Sequence, residues 1–266
     1  MPRLPIYQVD AFADRPFQGN PAAVVPLREW LPDDTLQRIA NENNLSETAF
    51  FVPLLNDADA EFHLRWFTPT MEVDLCGHAT LASGYVVLTE LDREASEVRF
   101  RTRSGVLRVE RKAERVTTEL PARPPEPCEP LADAAGIFGA EPETLMFAHD
   151  AYLAVYESER VVRALRPDIP RLAATGHCLI ATAPGTETDF VSRYFAPAHG
   201  VDEDPVTGAA HTVLVPYWSK RLELARLSAY QASTRGGRLD CENHGDRVRL
   251  TGNCSLYLQG TIHVPD

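Results

Sequence analysis

The sequence lacks the motifs by which many enzymes bind nucleotides, phosphate groups, zinc or a serine nucleophile. Its 266 residues contain no glycine-rich dinucleotide motif, no P-loop, no His-Glu-x-x-His and no Gly-x-Ser-x-Gly. Five cysteines, an odd number, are widely scattered and form neither a Cys-x-x-Cys pair nor a Cys/His cluster at zinc-ligand spacing. We therefore expect no cofactor, no metal and no disulfide framework, which leaves acid–base chemistry by side chains.

Long apolar runs and an excess of basic residues are also missing. No stretch is apolar over the roughly eighteen residues that span a bilayer, and the first residues contain no run of signal-peptide length. The net charge of −12 argues against nucleic acid as the main partner, because binding phosphates takes a surplus of Lys and Arg. We expect a cytoplasmic protein that binds neither membranes nor nucleic acid.

The chain is long enough for two modest domains, with 44% hydrophobic and 24% charged residues. Residues 121–130 contain five prolines and are typical of an extended linker. We predict an N-terminal half over 1–120 and a C-terminal half over 131–254, both of mixed strand and helix in the same order.

Patterning within the halves predicts the main elements. Alternation of apolar and polar residues, turn residues and helix-capping residues mark them. In the first half they are strands at 4–11, 48–53 and 60–67, a turn at Gly19-Asn20-Pro21, a helix from Asp33 to about Asn44, a buried helix over 77–88, and strands over 98–120 broken by a hairpin at Ser104-Gly105. In the second half they are a helix near 131–137, strands at 151–156, 178–183 and 189–196, a helix from Gly208 and closing strands.

An internal repeat relates the two halves. The pattern Phe-x-x-Arg-aromatic-Phe-x-Pro at 62–69 recurs 128 residues later at 190–197. Each copy then reaches Glu-x-x-x-x-Gly-x-Ala and a small apolar helix that opens at Gly77 or Gly208. The free N–H groups of a helix start favour an anion, so two such starts could hold a small acid from both sides where the halves meet. Tight packing of a buried helix is the alternative for each glycine.

Three side chains are candidates for proton transfer. Glu47 stands at the edge of an apolar strand, where burial would raise the pKa of its carboxyl towards neutrality. His78 follows Gly77, where the positive end of the helix dipole favours a neutral imidazole. Asp204 lies in the acidic loop before Gly208 and could orient His78 or assist the proton transfer. The alternatives are a solvated carboxylate, a structural histidine and a capping residue.

Cys76 precedes the first helix start, where the pKa of a thiol is expected to be depressed. Aligned on glycine, its counterpart in the second half is Thr207, so the paired thiols of a symmetric racemase are missing. We interpret Cys76 mainly as a packing residue.

Four segments resemble the phenazine-biosynthesis PhzF-like family, and the similarity extends in order over nearly the whole chain. They are Asp10-Ala11-Phe12 with Phe17-x-Gly19-Asn20-Pro21, Ser46-Glu47-Thr48-Ala49-Phe50, Cys76-Gly77-His78-Ala79-Thr80, and Glu203-Asp204-Pro205-Val206-Thr207-Gly208. The resemblance implies an α+β diaminopimelate-epimerase-like fold. In that fold two pseudo-symmetric domains each wrap a β-barrel-like sheet around a central helix, and the last strand, about 255–266, joins the first domain.

The resemblance also implies a cofactor-independent, homodimeric isomerase. Its Glu47 takes a proton from one carbon of a small carboxylate-bearing substrate and returns it to another in the same conjugated system. His78 and Asp204 assist.

The substrate would bind at Asn20, Ser46, Gly77, Gly208 and Ala209. The family has a serine where this chain has Ala209. The alanine removes a hydroxyl contact, which argues against the dihydro-hydroxyanthranilate substrate of the phenazine enzyme. The acid–base residues of the family are kept.

Two alternatives remain open. The protein could be a one-thiol epimerase or dehydratase in which Cys76 is the base. It could also be a non-catalytic protein that binds a small acid.

Overall fold

The structure is a computed structural model that describes residues 3–264. The chain divides into two compact units. Unit 1 runs to Glu119 and resumes at Thr251, and unit 2 is Leu120–Leu250. The residues 121–130 therefore belong to unit 2, whereas the sequence predicts a linker there. The return to unit 1 comes at Thr251, a few residues before the predicted position.

Strands outnumber helices in both units. The strands are β1 (Arg3–Ala11), β2 (Asn20–Pro26), β3 (Glu47–Pro53), β4 (Phe62–Phe67), β5 (Glu72–Val73), β6 (Glu97–Thr102), β7 (Gly105–Lys112), β8 (Arg115–Pro121), β9 (Glu126–Pro127), β10 (Thr144–Ala148), β11 (Ala151–Val155), β12 (Cys178–Pro184), β13 (Phe190–Ala196), β14 (Val201–Asp204), β15 (Arg226–Gln231), β16 (Gly237–Asn243) and β17 (Arg247–His263). The helices are α1 (Asp33–Asn43), α2 (Gly77–Val86), α3 (Ala134–Phe138), α4 (Glu159–Ala164), α5 (Ile169–Ala174) and α6 (Gly208–Leu222).

In unit 1 the strands form a closed ring. Strand β1 pairs with β2, β2 with β3 in parallel, β3 with β4, β4 with β6 in parallel, β6 with β7 and β7 with β8. Strand β17 pairs with both β8 and β1 and so closes the ring. Closure leaves no open sheet edge and creates an interior that a helix can fill.

Helix α2 fills the interior of unit 1. It packs against β1, β2, β3 and β7, and all of its residues except Tyr85 are buried. Its small side chains allow this, because strands can approach it on every side. Gly84 shows how close they come, since a Cβ there would lie 2.3 Å from a methyl carbon of Val109. The predicted buried helix is confirmed, although after Val86 it continues as a π-helical turn, Val87–Leu91.

Helix α1 covers the outside of the same sheet through one apolar stripe. Leu36, Ile39 and Ala40 are buried at helical spacing, and Asn44 ends the helix in the left-handed conformation. These side chains join the apolar cluster beneath β2 and β3. Strand β3 follows directly and begins at Glu47.

Unit 2 repeats the strand pairing of unit 1. Strand β10 pairs with β11, β11 with β12 in parallel, β12 with β13, β13 with β15 in parallel, and β15 with β16. Each pairing has a counterpart of the same sense in unit 1, from β1–β2 to β6–β7. Helix α6 lies between β14 and β15 in the chain, as α2 lies between β5 and β6. It is buried on all sides over residues 210–215 and again at Trp218 and Ser219.

Several elements differ from the sequence prediction. Asn20 begins β2, because the turn ends at Gly19, whose positive φ of 64° suits glycine. Helices α4 and α5 and strand β10 were not predicted. Within residues 3–264, no helix combines the length and the apolar character that crossing a bilayer requires.

Candidate active site

A buried carboxylate and a buried imidazole face each other in unit 1. Oε2 of Glu47 lies 3.1 Å from Nε2 of His78, and the two side chains are 17% and 4% exposed. Glu47 is the first residue of β3, and His78 is the second residue of α2. Neither of the two facing atoms makes a well-formed hydrogen bond within the described chain. A proton at this place can therefore be held either by the Glu47 carboxylate or by the His78 imidazole.

The other ring nitrogen of His78 is also contacted. Nδ2 of Asn20 lies 3.2 Å from Nδ1, and Sγ of Cys76 lies 3.5 Å from it. Asn20 is fully buried at the start of β2. An amide carries both a donor and an acceptor, so the Asn20 side chain can meet Nδ1 in either protonation state. The ring is thus held at both nitrogens.

The charge state of His78 differs from the sequence expectation. Burial opposes the imidazolium, but the Cys76 sulfur, which can accept a hydrogen bond from Nδ1, and the Glu47 carboxylate favour it and together hold the pKa of His78 well above its ordinary value. The helix start at Gly77 predicted a neutral ring. That prediction is wrong because a carboxylate at contact distance outweighs the partial charge of a helix end.

Cys76 also departs from the expectation for a thiol before a helix start. Burial, with a smaller contribution from Glu47, raises the pKa of the Cys76 thiol to about 11. At neutral pH the side chain is therefore a neutral thiol that contacts His78. This argues against a thiolate base and agrees with the interpretation of Cys76 as a packing residue.

The start of α2 adds N–H groups to this cluster. The helix begins at Gly77, and the first bond along it joins Thr80 N–H to the carbonyl of Cys76. N–H groups in the first turn of a helix have no intrahelical partner and carry the positive end of the dipole. Ser46 precedes Glu47 and is partly exposed. These groups therefore form one cluster in unit 1, which consists of Glu47, His78, Cys76, Asn20 and the start of α2.

The remaining predicted residues lie at the matching helix start of unit 2. Asp204 ends β14, and its carboxylate accepts a hydrogen bond from the hydroxyl of Thr207, the residue before α6. Buried Gln231, which the sequence did not single out, donates to the carbonyl of Asp204 (2.8 Å) and to Thr207 Oγ1 (3.1 Å). Gly208 and Ala209 open α6. The participation of Asp204, Gly208 and Ala209 in catalysis or binding stays a prediction.

Gln231 was not predicted because the sequence of its strand contains no recognisable motif. It contacts Thr207 only because the chain folds. The second-unit cysteine, Cys178, was not predicted for the same reason.

Two clusters among the described residues have the spacing to hold a metal ion. One is Glu47, Cys76 and His78, and the other is Asp150, Cys178 and His199 of unit 2. In each, one ligand atom per residue lies within 4.8 Å of the others. The sequence predicts no metal, because neither set forms a local spacing motif.

Comparison with known proteins places the chain in a family. The model of the phenazine biosynthesis-like family, PhzC–PhzF, matches residues 9–260. An uncharacterised isomerase of Pseudomonas aeruginosa is 52% identical over 265 residues, with 98% of this chain and 99% of the relative covered. The chain belongs to the PhzF family of isomerases. This confirms the family that the sequence motifs indicated.

Solved structures confirm the fold of this PhzF-family protein. A PhzF family protein of Enterococcus faecalis matches with a TM-score of 0.93 and 42% identity, covering 99% of this chain and 100% of that one. A hydroxyproline epimerase of Agrobacterium vitis matches with a TM-score of 0.64 at 12% identity, covering 98% and 92% of the two chains. The second match shows the fold alone, which is the predicted α+β epimerase-like architecture.

Proposed function

We propose that this PhzF-family protein moves a proton between two carbons of a small carboxylate-bearing substrate without a cofactor, and that Glu47 is the general acid and base. One observation carries the proposal. The facing atoms of Glu47 and His78 are buried 3.1 Å apart and without another hydrogen-bond partner, beside the start of α2.

The chemistry follows from these groups. Ionised Glu47 takes a proton from an acidic C–H of the substrate, and the electron pair left behind delocalises into the conjugated system of the substrate. The protonated carboxyl then delivers a proton to a second carbon of that system, so substrate and product are isomers and the proton count balances. Because the Glu47 side chain is 17% exposed, its carboxyl can exchange that proton with solvent before it delivers one, so the product gains deuterium in D2O. A carboxylate is a competent base for this step when the carbon acid is conjugated.

His78 supports this step through its charge. Its raised pKa favours an imidazolium next to Glu47, and that positive charge can offset the negative charge that develops on the substrate. The N–H groups at the helix start could meet the negative charge that develops on the substrate. The substrate itself is therefore expected to be an anion with an unsaturated or cyclic carbon skeleton.

A one-thiol epimerase is the less favoured alternative. It requires Cys76 to act as a base, but the pKa of its buried thiol is raised to about 11. A protein that only binds a small acid would not need a carboxylate and an imidazole whose facing atoms have no other hydrogen-bond partner.

Solvent deuterium exchange tests the proposal. The protein is incubated in D2O with a panel of cyclic and unsaturated carboxylates that includes a dihydro-hydroxyanthranilate, and deuterium gain is followed by mass spectrometry. We expect the Glu47→Gln variant to lose about 10²–10⁴-fold in exchange rate, the usual contribution of a general acid–base group.

Two controls separate chemistry from folding and binding. Glu42→Gln removes an exposed carboxylate of α1 and should leave exchange unchanged. Stabilisation of Glu47→Gln against heat by the same substrate should match that of the original protein. Exchange at the original rate in Glu47→Gln would contradict the proposal.

A further inference from the structure

Unit 2 contains a cluster with the same three kinds of side chain as the proposed active site. Cys178 Sγ lies 3.6 Å from Nδ1 of His199, and Oδ2 of Asp150 lies 3.4 Å from Nε2 of the same ring. In unit 1 a thiol likewise contacts Nδ1 of His78 and a carboxylate faces Nε2. The second cluster takes no part in the proposed proton transfer.

The strand register relates the two clusters more closely. Glu47 begins β3 and pairs with Ala22 of the parallel strand β2. Cys178 begins β12 and pairs with Ala151 of the parallel strand β11. Because the pairings of the two units correspond, Cys178 occupies the position of Glu47. Unit 2 therefore has a thiol where unit 1 has the proposed base.

The histidine of the second cluster comes from an insertion. The paired Arg and Glu of the repeat are 7 residues apart in unit 1 and 10 in unit 2, so unit 2 has three additional residues in this connection. His199 lies within it, in the 3-10 turn Pro197–His199. The longer connection begins with this turn, which brings an imidazole to Cys178.

We propose that Asp150, Cys178 and His199 form a zinc site. Thiolate, imidazole and carboxylate are the ligands that Zn²⁺ takes in proteins, and water would complete the tetrahedron. With Zn–S near 2.3 Å and Zn–N near 2.0–2.1 Å, the tetrahedral S–N edge is about 3.5 Å. The measured separation of 3.6 Å between Cys178 Sγ and Nδ1 of His199 fits that edge. Asp150 faces the other ring nitrogen, Nε2, so its carboxylate turns to reach an ion held by Nδ1. One thiolate and one carboxylate also neutralise the charge of the ion, which favours a partly buried site.

The backbone holds the three ligands in place. The N–H of Cys178 donates to the carbonyl of Asp150 (2.9 Å), so these two residues stay adjacent. The turn with His199 follows β13, which pairs with β12, and is closed by Gly200 at a φ of 83°.

Exposure favours this cluster over the one in unit 1. The side chains of His199 and Asp150 are 52% and 38% exposed, so they can turn towards an ion that arrives from solvent. The side chain of His78 is 4% exposed, and the buried Asn20 side chain also contacts its Nδ1. An ion that needs a rearranged imidazole therefore binds more readily in unit 2.

Binding has a defined proton balance. A cysteine thiol with its ordinary pKa of about 8.5 is protonated at neutral pH before the ion arrives. Zinc binding forms a Zn–S bond, and the thiol proton leaves to the buffer. The carboxylate and the imidazole each donate a lone pair, and no group is oxidised or reduced. One proton is therefore released for each ion bound.

Cobalt substitution tests the site. Co²⁺ added to the metal-stripped protein should give a near-ultraviolet thiolate-to-metal absorption at one ion per chain, and Zn²⁺ should displace Co²⁺ and abolish it. Zn²⁺ added to the metal-stripped protein without Co²⁺ should release one proton per chain at pH 7. Cys178→Ser should lose the absorption. His199→Asn should weaken Co²⁺ binding by more than the roughly 10–100-fold that loss of an outer hydrogen-bond partner costs.

Cys76→Ser and Cys128→Ser are the matched controls and should keep the absorption. Circular dichroism of each metal-free variant checks that it folds. Absence of any absorption in the original protein would overturn the proposal. Loss of the absorption in Cys76→Ser together with its retention in Cys178→Ser would also overturn it and would place the ion in unit 1.

Discussion

Arg193 holds Glu203 through two parallel hydrogen bonds, Nε to Oε1 at 2.7 Å and Nη2 to Oε2 at 2.9 Å. Arg65 and Glu72 form the same pair in unit 1, at 2.7 and 2.8 Å. Both arginines belong to the repeated motif, and both glutamates precede the helix that fills or covers their unit. The pair joins a strand to the segment that leads into the helix start. It therefore positions that start within each unit.

Loss of Arg193 should destabilise the protein strongly. Its side chain is 10% exposed, and Nη1 also donates to the carbonyls of Val162 and Leu165. Arg193→Met leaves a partly buried carboxylate and two carbonyls without their donor, which costs about 3–5 kcal/mol in the free energy of unfolding.

Urea unfolding measures the effect, with Arg238→Met as the control. Arg238 pairs with Glu187 at the surface, where an ion pair contributes about 0–1 kcal/mol. Equal losses in the two variants would show that Arg193 has no special structural role.

The repeat explains why so much of the fold could be predicted. An apolar pattern identifies β3, β4 and α2 directly, since their burial leaves few other choices of residue. The motif around Arg65 recurs around Arg193 because the ion pair with the following glutamate requires both partners. Two helix starts then follow at Gly77 and Gly208, where the structure has them.

The site was only partly predictable from sequence. Glu47, His78 and Asn20 were named, but the charge of His78 depends on the distance to a carboxylate 31 residues away in sequence, which the pattern does not give. Gln231 and the Cys178 cluster depend on contacts between distant strands. Short helices such as α4, with a single buried residue, Val162, carry too little periodicity to be recognised.

Asn20 should tune His78 rather than take part in chemistry. Its Nδ2 lies 3.2 Å from Nδ1 of His78, so Asn20→Ala removes a buried partner of the ring. We expect deuterium exchange to slow by about 10–100-fold, which corresponds to the 1.5–3 kcal/mol of a hydrogen bond to a charged group. We also expect the pH profile of the exchange rate to shift, because the pKa of His78 changes.

Two variants sharpen the interpretation for Asn20. Asn20→Asp places a carboxylate at Nδ1, so the pKa of His78 should rise further and the profile should move to higher pH. Asn41→Ala removes an exposed amide of α1 and should change neither rate nor profile. A slower rate with an unshifted profile in both Asn20 variants would mean that Asn20 only supports the fold.

Cys76 should be dispensable for proton transfer. Burial raises the pKa of its thiol to about 11, so it is not a base at neutral pH. Cys76→Ser keeps a small polar group beside Nδ1 of His78, and we expect exchange rates within about fivefold, the effect of one ordinary hydrogen bond. A loss as large as that of Glu47→Gln would favour the thiol mechanism instead.

His211 should make the protein less stable in mild acid. Burial lowers the pKa of His211 to about 4 in the folded chain, whereas an unfolded histidine titrates near 6.5. Its Nδ1 donates to the carbonyl of Thr207 at 2.8 Å, and Nε2 has no hydrogen-bond partner within the described chain. Below pH 6.5 the unfolded state binds a proton that the folded state does not bind. Stability is therefore lost as the pH falls from 6.5 to about 4, by about 3 kcal/mol in total.

The variant His211→Asn tests this without removing the hydrogen bond to Thr207, because its side-chain amide occupies the place of Nδ1. Urea unfolding from pH 7 to pH 4 should show a shallower loss of stability than in the original protein. The contribution of His78 to the free energy of unfolding has the opposite pH dependence. Its raised pKa adds stability that is complete below pH 6.5 and is lost as the pH rises, so His78 cannot cause the loss of stability in acid. His244→Asn, at an exposed position, should leave the slope unchanged. Equal slopes for His211→Asn and the original protein would mean that His211 accepts a proton while the chain is folded.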